Sequence, residues 1–246
     1  YIVSENDYYE AYTSLAEAIA EAKAGDTVKL LRDVTATDAI TIAKDVTIDL
    51  NGKTITSAFV VDGGAQFSID NGTVTAPAKN DVIYIKNGKA TVGADATLIA
   101  STDCAVFMKN LDNADAQLAL DVYGTLVGAE GFGTIQGNGN NLPASVINIY
   151  GGATVTNEND LAIYHPQNGT LTIGAAEITG TTAIEMRAGD LIVNEGAIIE
   201  GTAEFSATPN GNGSTVLGAA IALSQHTTEQ PTSVTVNTFP VAINNI

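Results

Sequence analysis

The chain has 246 residues, and its 28 acidic against 10 basic side chains give a formal net charge of -18. That imbalance repels phosphate backbones and anionic membrane surfaces, so nucleic-acid binding is not expected. No run approaches the roughly 20 apolar residues of a membrane span, so no membrane insertion is expected either.

The single Cys104 excludes an internal disulfide framework, and no Cys/His spacing resembles a zinc site. Hydrophobic residues make up 45% of the chain but aromatics only 6%, with no Trp. A core built from Ala, Val, Ile, Leu and Thr suits thin stacked layers better than a bulky globular centre. The first residue is Tyr1, as in a mature product or excised fragment whose export signal or anchor would lie outside the sequence.

Near the start, Ser14-Leu15-Ala16-Glu17 has capping-box spacing, in which the Ser hydroxyl and Glu carboxylate satisfy free amides at a helix start. Leu15, Ala18, Ile19 and Ala22 then fall on one face, and Gly25 suits the left-handed residue after the end. This spacing predicts a helix over 14–24, the only one in the chain.

From Thr27 the period changes from 3.6 to 2. Val46-Ile48-Leu50, Phe67-Ile69, Leu118-Leu120-Val122, Ile147-Ile149 and Val234-Val236 place alternate side chains on one face, as short strands do. Asn51-Gly52, Asn71-Gly72, Asn87-Gly88, Asn138-Gly139 and Asn168-Gly169 tolerate positive φ and permit sharp corners. Asn-Gly between strands is also a hairpin signal, so hairpins and coils are the two readings.

One phrase decides between them: a glycine followed by apolar residues two and four places later. It occurs at Gly63-Ala65-Phe67, Gly88-Ala90-Val92, Gly151-Ala153-Val155, Gly169-Leu171-Ile173 and Gly189-Leu191-Val193, with a degraded copy at Gly124-Leu126-Gly128. A phrase returning about every 20 residues marks a solenoid, and a parallel β-helix fits that interval best. Roughly eight to ten coils at the ~4.8 Å strand spacing make a rod about 40 to 50 Å long. Residues 111–115, 137–142 and 207–214 interrupt the pattern and read as loop excursions. A solenoid must also cover its terminal coils. The helix is the N-terminal lid, whereas no comparable helix is evident near the C-terminal end, where either a closing segment is missing or the end meets another chain.

The opening resembles a known family. Tyr12-Thr13-Ser14-Leu15-Ala16-Glu17-Ala18-Ile19, Ala24-Gly25-Asp26-Thr27-Val28 and Val46-Thr47-Ile48-Asp49-Leu50-Asn51-Gly52-Lys53-Thr54-Ile55 look like the start of pectin-lyase-like right-handed parallel β-helix proteins. The similarity is closest to non-catalytic, adhesin-like bacterial surface proteins and the β-helices of phage appendages. The resemblance implies an all-β, single-stranded right-handed parallel β-helix, with residues 1–26 as the cap and 27–246 as coils of one domain. It leaves the function open, because this superfold carries enzymes, adhesins and fibres alike.

Enzymes of that superfamily use an Arg or Lys beside calcium-binding acids, or a cluster of Asp residues along one coil face. The chain has two arginines, Arg32 beside the cap and Arg187 within Glu185-Met186-Arg187, and the latter reads as an outward charge on a strand. His165, in Tyr164-His165-Pro166, reads as a corner residue, and His226 lies in a polar loop; neither has a Ser or Cys nucleophile motif nearby. Asp112-Asn113-Ala114-Asp115 and Asn157-Glu158-Asn159-Asp160 are acid-rich but match no calcium loop, and read as solvated charges. Tyr84, Tyr150 and Tyr164 adjoin inward-facing Ile residues and are expected in a row outside the coil.

The sequence therefore predicts a non-catalytic extracellular structural or adhesive module, part of a cell-surface fibre, adhesin or virion appendage. No catalytic, cofactor-binding or metal-binding residue is assigned. The expected partners are other chains of a surface assembly or host glycans and proteins, with homo-oligomerisation through the C-terminal end. The competing readings are a carbohydrate-active lyase or hydrolase and a glycan-binding module.

Overall fold

Alternating side chains and corner residues together wind this sequence into coils. The computed structural model describes residues 2–5, 8–139, 143–210, 213–225, 231–237 and 242–244. In each coil the chain runs along a first face, bends into a second, turns into a third, and returns to the first one layer further on. First-face strands include Asp26–Lys29, Gly88–Val92, Leu118–Val122, Ser145–Ile149, Gly169–Ile173, Gly189–Val193 and Thr232–Val236, and each pairs in parallel with the corresponding strand of the next coil. The second face runs in the same way from Val34–Thr35 to Ala242–Asn244. The third is a separate 8-stranded sheet from Ile40–Ile42 to Ile221–Leu223. The molecule is a parallel β-helix with an N-terminal capping helix.

The hairpin reading of the Asn-Gly steps fails here for a local reason. Asn51-Gly52 and Asn71-Gly72 lie inside the long strands Val46–Thr56 and Ala65–Thr75. Both asparagines have positive φ, 52° and 63°, and bend the chain from the first face to the second without reversing it.

Register aligns the core in columns. Val28, Ile48, Ile69, Val92, Val122, Ile149, Ile173 and Val193 stack on the first face. Val34, Ile55, Val74, Leu98, Leu126, Val155, Ile178 and Ile199 stack on the second. All are buried, and Phe59 and Phe67 add a tilted aromatic pair with centroids 5.2 Å apart. Threonine, expected inside, mostly lies outside: Thr54, Thr73, Thr97, Thr125 and Thr154 form an outward column of the second face. A β-branched side chain suits the pleated surface, and its hydroxyl reaches water there.

The helix spans Leu15–Glu21, shorter than expected, because Ala22 already has ψ 141°. Ser14 Oγ accepts from the Glu17 amide at 3.3 Å, as the capping spacing required, while Leu15, Ala18 and Ile19 are buried against the first coils. The Lys44 ammonium donates to the carbonyls of Ala20 and Ala22, acceptors that the helix end leaves free. An unanticipated antiparallel pair, Ile2–Glu5 with Tyr8–Ala11, completes the lid. Its first strand pairs with Asp26–Lys29 and so covers the edge of the first rung.

The glycine phrase proves to mark more than one corner. Gly88, Gly169 and Gly189 open first-face strands, whereas Gly151 precedes the second-face strand Thr154–Asn157. Gly63 lies in the turn two residues ahead of that register, since Ala65 pairs with Gly88. Any corner followed by an alternating strand produces the same spelling. The 207–214 excursion is an antiparallel hairpin, Ser206–Asn210 with Gly213–Leu217, inserted between second-face and third-face strands.

Gly169 shows how closely the coils approach. It has φ +120°, and a Cβ there would lie 1.8 Å from the carbonyl oxygen of Ser145 in the coil below. Gly169→Ala is expected to destabilise the protein by at least ~2 kcal/mol, read as a lower urea midpoint at an unchanged slope. A midpoint equal to wild type would contradict this contact.

Candidate functional site

The outer columns determine what the rod offers to a partner. On the third face Val60, Tyr84, Phe107, Gln136, Tyr164 and Glu185 share one outward column. Tyr84 and Phe107 rings lie 5.5 Å apart and tilted. The expected tyrosine row therefore divides. Tyr84 and Tyr164 belong to this column with Phe107 and Gln136 between them, while Tyr150 stands at the corner after the first face, stacked on Tyr123 with centroids 4.2 Å apart and planes within 3°. Tyr123 was not anticipated, because only the coil register, 27 residues apart, brings it beside Tyr150.

Arg187 is not an outward charge. It is buried, with Nη1 3.4 Å from Oε1 of Glu185, and Nη2 is buried without a hydrogen-bond partner. Burial pushes the Glu185 carboxyl up, against the pull of the guanidinium. A base for proton abstraction must reach substrate, and this guanidinium is enclosed and engaged by the protein itself.

His165 has a partner that the sequence conceals. Its Nε2 lies 3.1 Å from Ser145 Oγ, and its Nδ1 lies 3.0 Å from the carbonyl of Ala188. A carbonyl only accepts, so Nδ1 carries the proton and Nε2 accepts from the Ser145 hydroxyl. The pair has the connectivity of a nucleophile and its base, yet both residues are 1% exposed. The third group is a neutral carbonyl, which does not offset an imidazolium as a carboxylate would. The arrangement instead ties three strand ends together, and burial lowers the imidazole's affinity for a proton. His226 lies outside the described residues.

The acid-rich loops are held from within by amides. Asn157 Nδ2 donates to the carbonyls of Ala129 and Phe132, and its Oδ1 accepts from the amides of Asn159 and Asp160. Asn110 does the same for 111–115: Nδ2 donates to Lys86 O, and Oδ1 accepts from the amides of Asp112 and Asn113. Gln167 bridges the ends of the 137–142 excursion, its Oε1 accepting from Asn138 N and its Nε2 donating to Pro143 O; residues 140–142 lie outside the described set. Among the described residues no three His, Cys, Asp or Glu side chains gather as a metal site would need.

A pocket of about 120 Å³ opens between Asp81, Asp103, Cys104, Phe107, Phe132 and Gln136. Asp81 accepts from the Cys104 amide at 3.0 Å, and burial raises its pKa. Burial also pushes the Cys104 thiol up, well away from a reactive thiolate.

No protein-family model, curated protein or solved structure matches this chain.

Two outcomes test these assignments. Because folding lowers the His165 pKa, the unfolded chain binds more protons below about pH 6.5, and this group's stabilising contribution falls as pH drops from there towards the folded value. Urea midpoints at pH 7.5 and 5.5 should converge for His165→Gln more than for wild type; equal pH differences would refute the buried neutral imidazole. Asn157→Ala strands four backbone groups and is expected to cost about 2–3 kcal/mol, with faster amide exchange at Asn159 and Asp160.

Proposed function

We propose that this chain is a non-catalytic structural or adhesive module at a cell or virion surface, built as a pectin-lyase-like β-helix of the adhesin-like kind. The observation that carries this reading is the ordered outer surface. Outward columns such as Thr54 to Thr154 repeat one uncharged group at the coil spacing of ~4.8 Å over successive layers. A rod of this sort supports many weak contacts at fixed intervals, and each adds to avidity without a deep pocket. The engagement of Arg187 with Glu185 and of His165 with Ser145 also favours a non-catalytic role, because these ionisable side chains serve the fold. The net charge of -18 favours protein or neutral glycan partners over polyanions.

The test has two arms. Beads coated with the chain should be retained on a mucin layer several-fold more than beads coated with an unrelated protein of equal charge; equal retention would remove the adhesive reading. Neutral and acidic polysaccharides incubated with the protein should keep their chain lengths in size-exclusion and mass analysis, and shortened or unsaturated products would make it an enzyme.

A further inference from the structure

The corner after the first face holds one position in coil after coil. The amides of Gly93, Tyr123, Tyr150, Gly174 and Asn194 each donate to the carbonyl of the last first-face residue one coil below, namely Ile69, Val92, Val122, Ile149 and Ile173. Asp49 and Asp70, paired in register, precede Gly93, and Asn237, whose amide donates to the Val193 carbonyl, follows Asn194. The order along the rod is therefore Asp49, Asp70, Gly93, Tyr123, Tyr150, Gly174, Asn194, Asn237.

The two rings stack along the rod axis at nearly the coil spacing, so each turns one face to the other. The second face of Tyr150 is directed to the rung of Gly174, and that of Tyr123 to the rung of Gly93. The two rungs differ. A Cβ on Gly93 would lie 2.2 Å from the Asp70 carboxyl carbon, so that side chain already fills the edge of its rung. At Gly174 the nearest atoms to a Cβ would be backbone, the closest at 3.1 Å, and the glycine itself places no side chain beside Tyr150. Tyr123 is 38% exposed and Tyr150 is half-buried.

Polar groups stand around the Gly174 rung. Beyond it, Asn194 Oδ1 accepts from Asn237 Nδ2 at 2.7 Å, and the other end of the Asn194 amide has no bond among the described residues. On the outward column beside it, Thr172 stands in register with Asn148, whose amide donates to Asp121 at 2.9 Å. Asp121 is in turn ion-paired with Lys89. The Gly174 rung thus combines the Tyr150 face turned away from Tyr123, no side chain of its own, and a rim of amide and hydroxyl groups.

We propose that the Gly174 rung is a subsite for one neutral pyranose ring, stacked on the face of Tyr150 turned away from Tyr123. A pyranose has an apolar C–H face and a rim of hydroxyls, which complement the ring and the rim respectively. A uronate ring would meet Asp121 and the negative field of the whole chain, so neutral sugars are favoured. Tyr123 backs Tyr150 and holds its ring perpendicular to the rod axis. This inference rests on the adhesive reading and names the ligand class for it.

Affinity electrophoresis tests the proposal, since the acidic chain migrates readily in native gels. Gels would contain hydroxyethyl cellulose, galactomannan, xylan, intact mucin or deglycosylated mucin. The wild type should be retarded by at least one neutral polysaccharide. Tyr150→Ala and the double variant Tyr123→Ala/Tyr150→Ala should weaken that retardation by roughly tenfold or more, whereas Tyr150→Phe should keep it. Circular dichroism melts establish that the variants are folded. The site is overturned if no neutral polysaccharide retards the wild type, if the double variant is retarded like wild type, or if mucin retardation survives removal of its glycans and so comes from protein. A double variant that behaves as wild type while coated beads still hold to mucin removes the subsite and spares the adhesive reading. Beads that fail to hold while the gels still retard the wild type remove that reading and spare the subsite.

Discussion

The in-register parallel hydrogen bonding between one coil and the next is the constraint on which the rest of the molecule depends. It fixes every residue above its counterpart at about 4.8 Å, so a preference at one position is repeated along the rod. Apolar residues become continuous columns such as Val28 to Val193, and the core needs few large side chains because each layer is thin. The same constraint explains the glycines. Where a corner brings two backbones together, as at Gly169 above Ser145, no side chain fits between them.

Corners are also where the ladder fails, and the acidic composition meets that failure. Backbone amides that leave the sheet need acceptors, and short carboxylates supply them from the preceding coil. Asp33 accepts from Thr54 N, Asp45 from Gln66 N, Asp70 from Asp95 N and Asp81 from Cys104 N. Part of the large negative charge is thus a structural requirement before it is a surface property. Buried amides serve the longer excursions, with Asn110, Asn157 and Gln167 each fastening one loop. The coil tolerates loops of different lengths because each is secured at its base.

Much of the fold was legible because its signals are local. The Ser14 cap, the change of period at Thr27 and the Asn-Gly corners depend on neighbouring residues, and the recurrence of the glycine phrase turns them into a β-helix rather than a set of hairpins. The helix ended early and the Ile2–Glu5 strand was missed, since neither depends on a strong local pattern. The site residues were far less legible. Ser145 meets His165 across 20 residues and Tyr123 meets Tyr150 across a whole coil, and such contacts exist only once the register is known. Outward alternation predicts an exposed Arg187, but what covers an outer face is decided by distant segments. The glycine phrase was informative about turns but ambiguous about which turn, since different corners share its spelling.

The direction of the ladder has a mechanical consequence. Hydrogen bonds between coils run along the rod axis, so a pull on its two ends loads the coil interfaces in series, and the weakest yields before the others. A released coil of about 20 residues would add roughly 70 Å of contour length, far more than the layer it occupied. Under tension such a rod would lengthen in steps and dissipate load while its remaining coils keep their surfaces intact. The inserted hairpin at Ser206–Asn210 and Gly213–Leu217 makes one coil longer than the rest, and its release would be the largest of those steps.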